Sequence, residues 1–312
     1  MSGPTVSVVV IAHHRTEYLG DALRSLERQS RPPDEVVVIE ENPPYGRPSV
    51  APPSLPYRWE NRDDLAPAAA KFAYGLSVAQ GEVVAFLEDD DRFASGKLAH
   101  VAAVFSAHPD VVFLRNRLAF IGPDGAPRPP TSPIRFRAEG PVPPLPSAMS
   151  RGLMTLNMSA MSVRRAAYLP VLPFYAGQHP SSDTLTYWLS AYVGGTAWYS
   201  PEPLTEYRFH DKNVSRSDGV DLTLRSYDFA RWLVAQAPPG TPAAALARSV
   251  ERSQRVGAAL AAGRRPTPTE LGGQVWDAVV RLSAIHVLRV YTVYRYWKQF
   301  WASSGARPIG AT

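Results

Sequence analysis

Gly81-Glu82-Val83-Val84-Ala85-Phe86-Leu87-Glu88-Asp89-Asp90-Asp91-Arg92-Phe93 joins an apolar, β-prone run directly to four consecutive acids. Strands buried on both faces of a parallel sheet read as continuous apolar runs. In open α/β sheets, ligands bind just beyond the carboxyl ends of such strands. Four carboxylates crowded there repel one another unless a cation sits among them. Oxygen donors at that density suit a hard divalent ion, Mg²⁺ or Mn²⁺, shared with phosphates. The plainer alternative is a solvated acidic turn. Against it stand the core-like strand before the acids, and Phe93 with a Gly96-Lys97-Leu98 helix start after them.

Working outward, Val6 to Ile11 is a second apolar run, rich in β-branched residues, ending in Ala12-His13-His14-Arg15. Leu19, Ala22, Leu23 and Leu26 follow at helical spacing, and Arg31-Pro32-Pro33 stops that helix. A third run, Val36 to Ile39, ends in Glu40-Glu41-Asn42-Pro43-Pro44. The order is therefore strand, helix, strand, long loop, a helix over about residues 67–80, and the acidic strand. That alternation predicts a parallel doubly wound sheet with right-handed crossovers. Polar groups at each strand's carboxyl end mark a nucleotide site. No Gly-x-Gly-x-x-Gly follows the first strand and no P-loop is present, which argues against dinucleotide binding and P-loop chemistry.

Composition narrows the classes. A chain of 312 residues can bury a sizeable core, so one large domain with an extension is expected. With no cysteine there are no disulfides, thiolate metal sites or cysteine nucleophiles. That absence, and a start that runs straight into a strand, give the expectation of a cytoplasmic protein. No run of about twenty uncharged apolar residues occurs, so no membrane span is expected. The formal charge of +5 suits nucleotide phosphates or an anionic membrane face. The basic residues are dispersed and match no recognition motif, so nucleic acid is not an expected partner.

A helix around residues 96–107 and a short strand at 111–114 complete the first half. Residues 122–146 are dense in proline, and a loop of that length is a functional lid or a disordered insertion. Residues 157–163 alternate polar and apolar and read as a strand, followed by Arg164-Arg165. Gln178-His179-Pro180-Ser181-Ser182-Asp183 then leads into a helix carrying Leu185, Trp188, Leu189 and Tyr192. Asp183 sits at or just inside that helix start, where a carboxylate is either a cap or a placed base.

Three blocks together resemble a family. Val6 to Arg15 with Tyr18-Leu19, Ala22-Leu23-Arg24-Ser25-Leu26 and Gln29 looks like the opening of family-2 glycosyltransferases of the GT-A fold. Phe86-Leu87-Glu88-Asp89-Asp90-Asp91 resembles their metal-binding acidic motif. Pro201-Glu202-Pro203-Leu204-Thr205-Glu206-Tyr207-Arg208-Phe209-His210, with Asn213 and Ser215, resembles the segment that closes their catalytic domain. The blocks occur in the family's order over roughly residues 5–216.

The resemblance implies a GT-A type, doubly wound mixed α/β sheet flanked by helices, with a C-terminal helical extension. Residues 1–115 would be the nucleotide-sugar half, 116–217 the acceptor and catalytic half, and 218–312 the extension. It implies an inverting transfer from a nucleoside-diphosphate sugar, a UDP-sugar favoured, to an acceptor nucleophile on a glycan, lipid-linked sugar, peptide or small molecule. Asp183 takes the base's place, although many members carry Glu-Asp where this chain has Ser182-Asp183. Glu40 falls where the family reads the nucleotide base, but Asn42-Pro43-Pro44 replaces the usual Gly-Ser turn. Glu88 is placed near the ribose. Asp90 is the first choice of metal ligand, with Asp89 and Asp91 as close alternatives on the donor side. Ala12, His13 and Arg15 fall on the nucleotide side, where His13-His14 replaces a common Tyr-Asn pair; strand-end residues without direct function are the other reading. Lys71 matches a basic residue frequent one turn into its helix. His210 touches metal or diphosphate, or is a structural loop histidine.

Beyond Ser217 the resemblance stops, and segments 222–236, 242–262 and 269–303 read as helices. In the last, Trp276, Val279, Val287, Val290, Tyr294, Trp297 and Trp301 share a face opposite Asp277, Arg281 and Arg295. That pattern suits peripheral membrane contact, or docking on the catalytic domain or a second copy; His286 within the apolar face favours the protein interface. Two other functions remain open. One is a non-catalytic nucleotide-sugar-binding relative. The other is a sugar nucleotidyltransferase, which expects a glycine- and basic-rich loop after the first strand.

Overall fold

The structure, a computed structural model, describes residues 3–12, 16–40, 54–65, 68–129, 139–142, 157–177, 181–211 and 219–272. Strand β1 (Val6–Ala12) is buried along its whole length. Helix α1 (Thr16–Glu27) returns the chain to β2 (Glu35–Glu40), which pairs parallel to β1. Strand β3 (Tyr57–Asn61) pairs parallel to β2, helix α2 (Ala68–Val78) follows, and β4 (Val83–Glu88) pairs parallel to the other side of β1. The expected strand-helix alternation is thus present, with one addition. β3 falls inside the segment expected to be loop. Prolines precede it and its five residues are only half buried, as an edge strand tolerates.

The acidic turn leads to β5 (Arg92–Phe93), helix α3 (Lys97–Ala107) and β6 (Val111–Ile121). β6 runs well past the expected 111–114. Arg115-Asn116-Arg117 ends the apolar run in the sequence, yet these residues continue the strand. Short strands β7 (Pro127–Arg128) and β8 (Gly140–Val142) lie within the proline-rich stretch; residues 130–138 and 143–156 are outside the described residues. The segment expected as a strand over 157–163 opens instead with a 3-10 turn, Met158–Ala160. Asn157 caps it by accepting the Ala160 N–H at 3.2 Å, so the strand β9 covers only Met161–Arg164. A short helix α4 (Arg165–Tyr168), a 3-10 stretch Leu169–Ala176, helix α5 (Ser182–Tyr192) and β10 (Thr196–Arg208) complete the sheet body.

The sheet order is β3-β2-β1-β4-β9-β6-β10-β5, with β7 on β6 and β8 on β10. The first four strands are mutually parallel. β9 then inserts antiparallel between β4 and β6, so the sheet is mixed. One face carries Val6, Val8 and Val10 against Leu19, Leu23 and Leu26 of α1 and Leu98, Val101 and Phe105 of α3. The other parity faces α2, where Phe72 meets Phe86 edge-on at 5.4 Å between ring centroids. α2 lies so close to β1 that a Cβ on Gly75 would stand 2.3 Å from a Val9 methyl carbon. Val9 is β-branched and cannot rotate away cheaply. Gly75→Ala is therefore expected to destabilise the protein by about 1–3 kcal/mol, the usual cost of overpacking. Urea unfolding measures it, and an unchanged midpoint would show that α2 can retreat.

The chain divides into two compact units, one of residues 1–144 with 155–216, the other of residues 145–154 with 217–312. In the second, helices α6 (Gly219–Gln236) and α7 (Pro242–Ala261) match the expected segments and pack together. Thr241 caps α7 by accepting the Ala244 N–H at 3.2 Å. Nearly all of the expected 269–303 helix lies outside the described residues. Among the described residues no helix is long and apolar enough to cross a membrane.

Candidate active site

The carboxyl ends of β1, β2 and β4 bring Ala12, Glu40 and Glu88 side by side. Ala12 is in register with Glu40, and Ile11 with Glu88. Ala12 and Glu40 are buried, and Lys71 is buried on α2, one turn into the helix. His13, His14 and Arg15 are outside the described residues.

After β4 the chain turns, with the Asp91 N–H donating to the Glu88 carbonyl at 3.2 Å. β5 then pairs antiparallel with β10, matching Phe93 to Thr205 and Arg92 to Glu206. The turn is thereby clamped between two strands, and Asp89, Asp90 and Asp91 are all buried. Their roles diverge there. Asp91 Oδ2 accepts from the Asn157 amide at 3.0 Å, and its Oδ1 accepts the Arg208 N–H at 3.0 Å. The same Asn157 amide donates to Glu88 Oε2 at 2.9 Å. Asp91 thus joins β4, the 3-10 turn and β10. Burial pushes its carboxyl well above the ordinary range, and the neighbouring charge of Asp90 adds to that.

Asp90 faces another partner. Its Oδ2 lies 2.9 Å from His210 Nε2, and both side chains are about 5% exposed. His210 packs on Tyr18 of α1, with ring centroids 5.1 Å apart. Among the described residues no three His, Asp or Glu side chains converge as a ready-made metal cage.

Arg208 holds the turn from behind. Its Nε donates to the Asp90 carbonyl at 2.8 Å, and Nη1 to the Pro123 carbonyl at 3.0 Å. Nη2 meets Asp21 Oδ2 at 2.6 Å, and the guanidinium lies 4.7 Å from the centre of the Tyr18 ring. Arg92 reaches the same Asp21 oxygen at 3.2 Å. Burial would raise the Asp21 carboxyl, but the Arg208 hydrogen bond and the charges of Arg92, Arg208 and Arg24 outweigh it and hold the group below its usual value. On the other side Lys97 is fully buried. Its Nζ donates to the Ser159 carbonyl and to Thr205 Oγ1, the latter at 2.9 Å, and sits 3.8 Å from the centre of the Phe93 ring. Burial pushes this ammonium far down, against the opposing pull of Asp91.

Asp183 stands in the first turn of α5, half-buried. It is not the helix cap. Ser181 is, its Oγ accepting the Thr184 N–H. Asp183 Oδ1 accepts the same N–H at 2.6 Å and the Ser181 hydroxyl. A carboxylate there also lies at the positive end of the helix dipole.

The residues that sequence reasoning gave no role are Asn157, Arg208, Lys97, Asp21 and Tyr18. Arg208 and His210 are two apart along an extended segment and so share a side, which was a readable signal. Asn157 stands three residues before Ala160, the spacing of a side-chain cap. Nothing local marks Lys97 or Asp21 for the site: the Ser159 carbonyl and Thr205 that receive the Lys97 ammonium, and the Arg92 and Arg208 that meet Asp21, lie far along the chain.

The sequence profile described as Glycosyl transferase family 2 matches residues 7–168, more than half of the chain. No curated protein sequence matches it. Among solved structures, S. aureus TarS residues 1–349 in complex with UDP-GlcNAc aligns with a TM-score of 0.62 at 18% identity, covering 82% of this chain and 72% of that one. The mannosyltransferase PcManGT from Pyrobaculum calidifontis, in complex with GDP-Man and Mn²⁺, aligns with a TM-score of 0.56 at 16% identity, covering 96% of this chain and 84% of that one. At such identities the likeness is one of fold. The profile covers β1, the acidic turn and Asn157, and with that match the chain belongs to glycosyl transferase family 2.

Proposed function

We propose that this glycosyltransferase moves a sugar, with inversion, from a nucleoside-diphosphate sugar to a hydroxyl, thiol or amine acceptor, using Asp183 as base. The observation that carries the reading is the buried Asp90–His210 pair at the carboxyl ends of β4 and β10, within a family-2 chain. Residues 1–115 serve the donor and 116–217 the acceptor.

The donor set fits a divalent ion. A hard ion at a nucleotide is held by one or two protein groups, the remaining positions going to phosphates and water, so a full protein cage is not required. Asp90 and His210 are the residues that would hold it. Both Asp91 oxygens are engaged by the N–H groups of Asn157 and Arg208, which supports a role for Asp91 in shaping the turn. A bound Mn²⁺ or Mg²⁺ supplies Lewis-acid stabilisation of the charge that develops on the departing diphosphate. Glu40 and Glu88, at the ends of the two strands that flank β1, orient base and ribose. Asp183 needs only to take the acceptor's proton as it attacks. One base and one face of attack give a single displacement.

The TarS complex with UDP-GlcNAc and the PcManGT complex with GDP-Man and Mn²⁺ support this donor class. A UDP-sugar is the favoured donor. The test is a panel of UDP- and GDP-sugars, with and without Mn²⁺, read as a thermal shift and as nucleoside diphosphate release with water as acceptor. A metal-dependent shift and slow release are expected for at least one donor. A shift without release under any metal would favour the non-catalytic relative, and neither signal from any donor overturns the proposal.

A further inference from the structure

Helix α1 meets the end of β10 through one helical turn. Tyr18 and Asp21 stand three residues apart in α1 and so share a side of it. Arg208 closes β10 and His210 follows two residues on, so their side chains leave the chain on the same side. The two pairs interlock. Arg208 Nη2 donates to Asp21 Oδ2 at 2.6 Å, and its guanidinium lies 4.7 Å from the centre of the Tyr18 ring. The His210 imidazole packs on the same ring, with centroids 5.1 Å apart and planes inclined by 34°. One tyrosine ring therefore touches both side chains.

Both of those side chains act on Asp90. Arg208 Nε donates to its carbonyl at 2.8 Å, and His210 Nε2 faces its carboxylate at 2.9 Å. His210 lies beyond the last residue of β10, and its imidazole turns about two side-chain bonds. Nε2 is turned to Asp90 while the ring lies against Tyr18, and a ring met on two sides keeps one orientation. Tyr18 is a firm wall for it. The next residue, Leu19, is 1% exposed in the core, and Asp21 is bound by Arg92 of β5 at 3.2 Å as well as by Arg208. Helix α1, β5 and β10 thus converge on the turn that carries Tyr18.

We propose that Tyr18 is a positioning residue for the donor's divalent ion: its ring sets the His210 imidazole at the angle from which Nε2 and the Asp90 carboxylate take one ion together. Groups that orient a metal-binding side chain in this way are worth about 10–100-fold in metal affinity. Tyr18 meets Arg208 and His210 with its ring, so phenylalanine replaces it and an aliphatic side chain does not. The inference rests on the reading of Asp90 and His210 as the residues that hold the ion.

The test uses the full chain with Tyr18→Leu, Tyr18→Phe and His210→Ala. Each is titrated with Mn²⁺ in saturating UDP or GDP, whichever gives the parent protein the larger Mn²⁺-dependent thermal shift. At saturating Mn²⁺, pulsed EPR reads the nitrogen coupling of an imidazole bound to the ion. Tyr18→Leu is expected to raise the Mn²⁺ concentration at half-maximal shift by about 10-fold or more and to weaken the nitrogen coupling. Tyr18→Phe keeps both close to the parent. A half-point and coupling unchanged in Tyr18→Leu overturn the inference, and a lowered unliganded melting temperature beside them shows a structural role only. A Tyr18→Phe loss as large as that of Tyr18→Leu overturns it too. If Tyr18→Leu does not fold, Tyr18→Met, which keeps apolar bulk without a ring, is held to the same two readouts. The metal reading fails separately, if the parent shows no Mn²⁺-dependent shift or if His210→Ala retains the full nitrogen coupling, and the inference falls with it.

Discussion

Asp183→Asn is expected to lower sugar transfer by roughly 10² to 10⁴-fold, the usual contribution of a placed general base. Donor affinity and its metal dependence should change little. From the sequence alone the substitution had to separate two readings, because Asn and Asp cap helices about equally well. The structure sharpens it. Ser181 is the N-cap of α5, so the cap survives the change. Asparagine keeps the side-chain oxygen that accepts the Thr184 N–H. Stability should therefore move by no more than a few tenths of a kcal/mol, on the scale of exchanges between good capping residues. Loss of turnover without loss of stability is the signature of a base. Near-normal turnover, measured as diphosphate release in the same assay, would remove Asp183 from the mechanism.

The first half of the fold was legible because it obeys the simplest rule in the sequence. Each central strand is an apolar run, broken only by Ser7 in β1, and each ends abruptly in polar residues, as burial on both faces requires. Legibility failed where tertiary contacts override that pattern. β3 is an edge strand preceded by prolines and half exposed, and its five residues form no apolar run. β6 continues through Arg115-Asn116-Arg117 because polar partners await it in the fold. Asn116 donates to Thr205 Oγ1 of β10 at 3.0 Å, and Lys97 donates to the same oxygen at 2.9 Å. No window of sequence around residue 116 contains residue 205.

The site divides along the same line. The acids of the 88–91 cluster and His210 were readable as types of residue in a place. The division of labour among the acids was not. Asp90 and Asp91 are adjacent and chemically identical, and what separates them is who faces each carboxylate. Asn157 and the Arg208 backbone face one; His210 faces the other. Sequence reasoning ranked Asp90 first but left Asp91 open. It also gave no role to Arg208, whose side chain spends its donors on Asp21 and on the carbonyls of Asp90, Gly122 and Pro123. Such a residue acts on the turn's shape, and shape is what a one-dimensional reading lacks.

Asp90→Ala is expected to abolish Mn²⁺-dependent donor binding while the fold persists. Three features of the turn make the fold tolerant. The Arg208 guanidinium grips the Asp90 backbone carbonyl, which the substitution leaves in place. The Asp91 carboxylate keeps Asn157 and the Arg208 N–H. Removing one of two adjacent buried carboxylates also relieves the repulsion that raises Asp91. The opposing cost is His210, buried and deprived of its Asp90 contact, though its packing on Tyr18 remains. Ligand stabilisation follows RT ln(1 + [L]/Kd), about 2.7 kcal/mol at a hundredfold excess over Kd, so even a weak donor gives a measurable shift in the parent protein. In Asp90→Ala that increment should vanish at the same concentrations with the unliganded melting temperature nearly kept. Asp91→Ala is the contrasting control. It strips acceptors from Asn157 and Arg208 at once, and each buried donor left unsatisfied costs about 1–3 kcal/mol, so the unliganded protein itself should melt earlier. Calorimetry finding unchanged metal-dependent donor affinity in a folded Asp90→Ala variant would take the ion away from Asp90. The same substitution leaving Mn²⁺ dependence intact and stability lowered would give Asp90 a purely structural role beside His210.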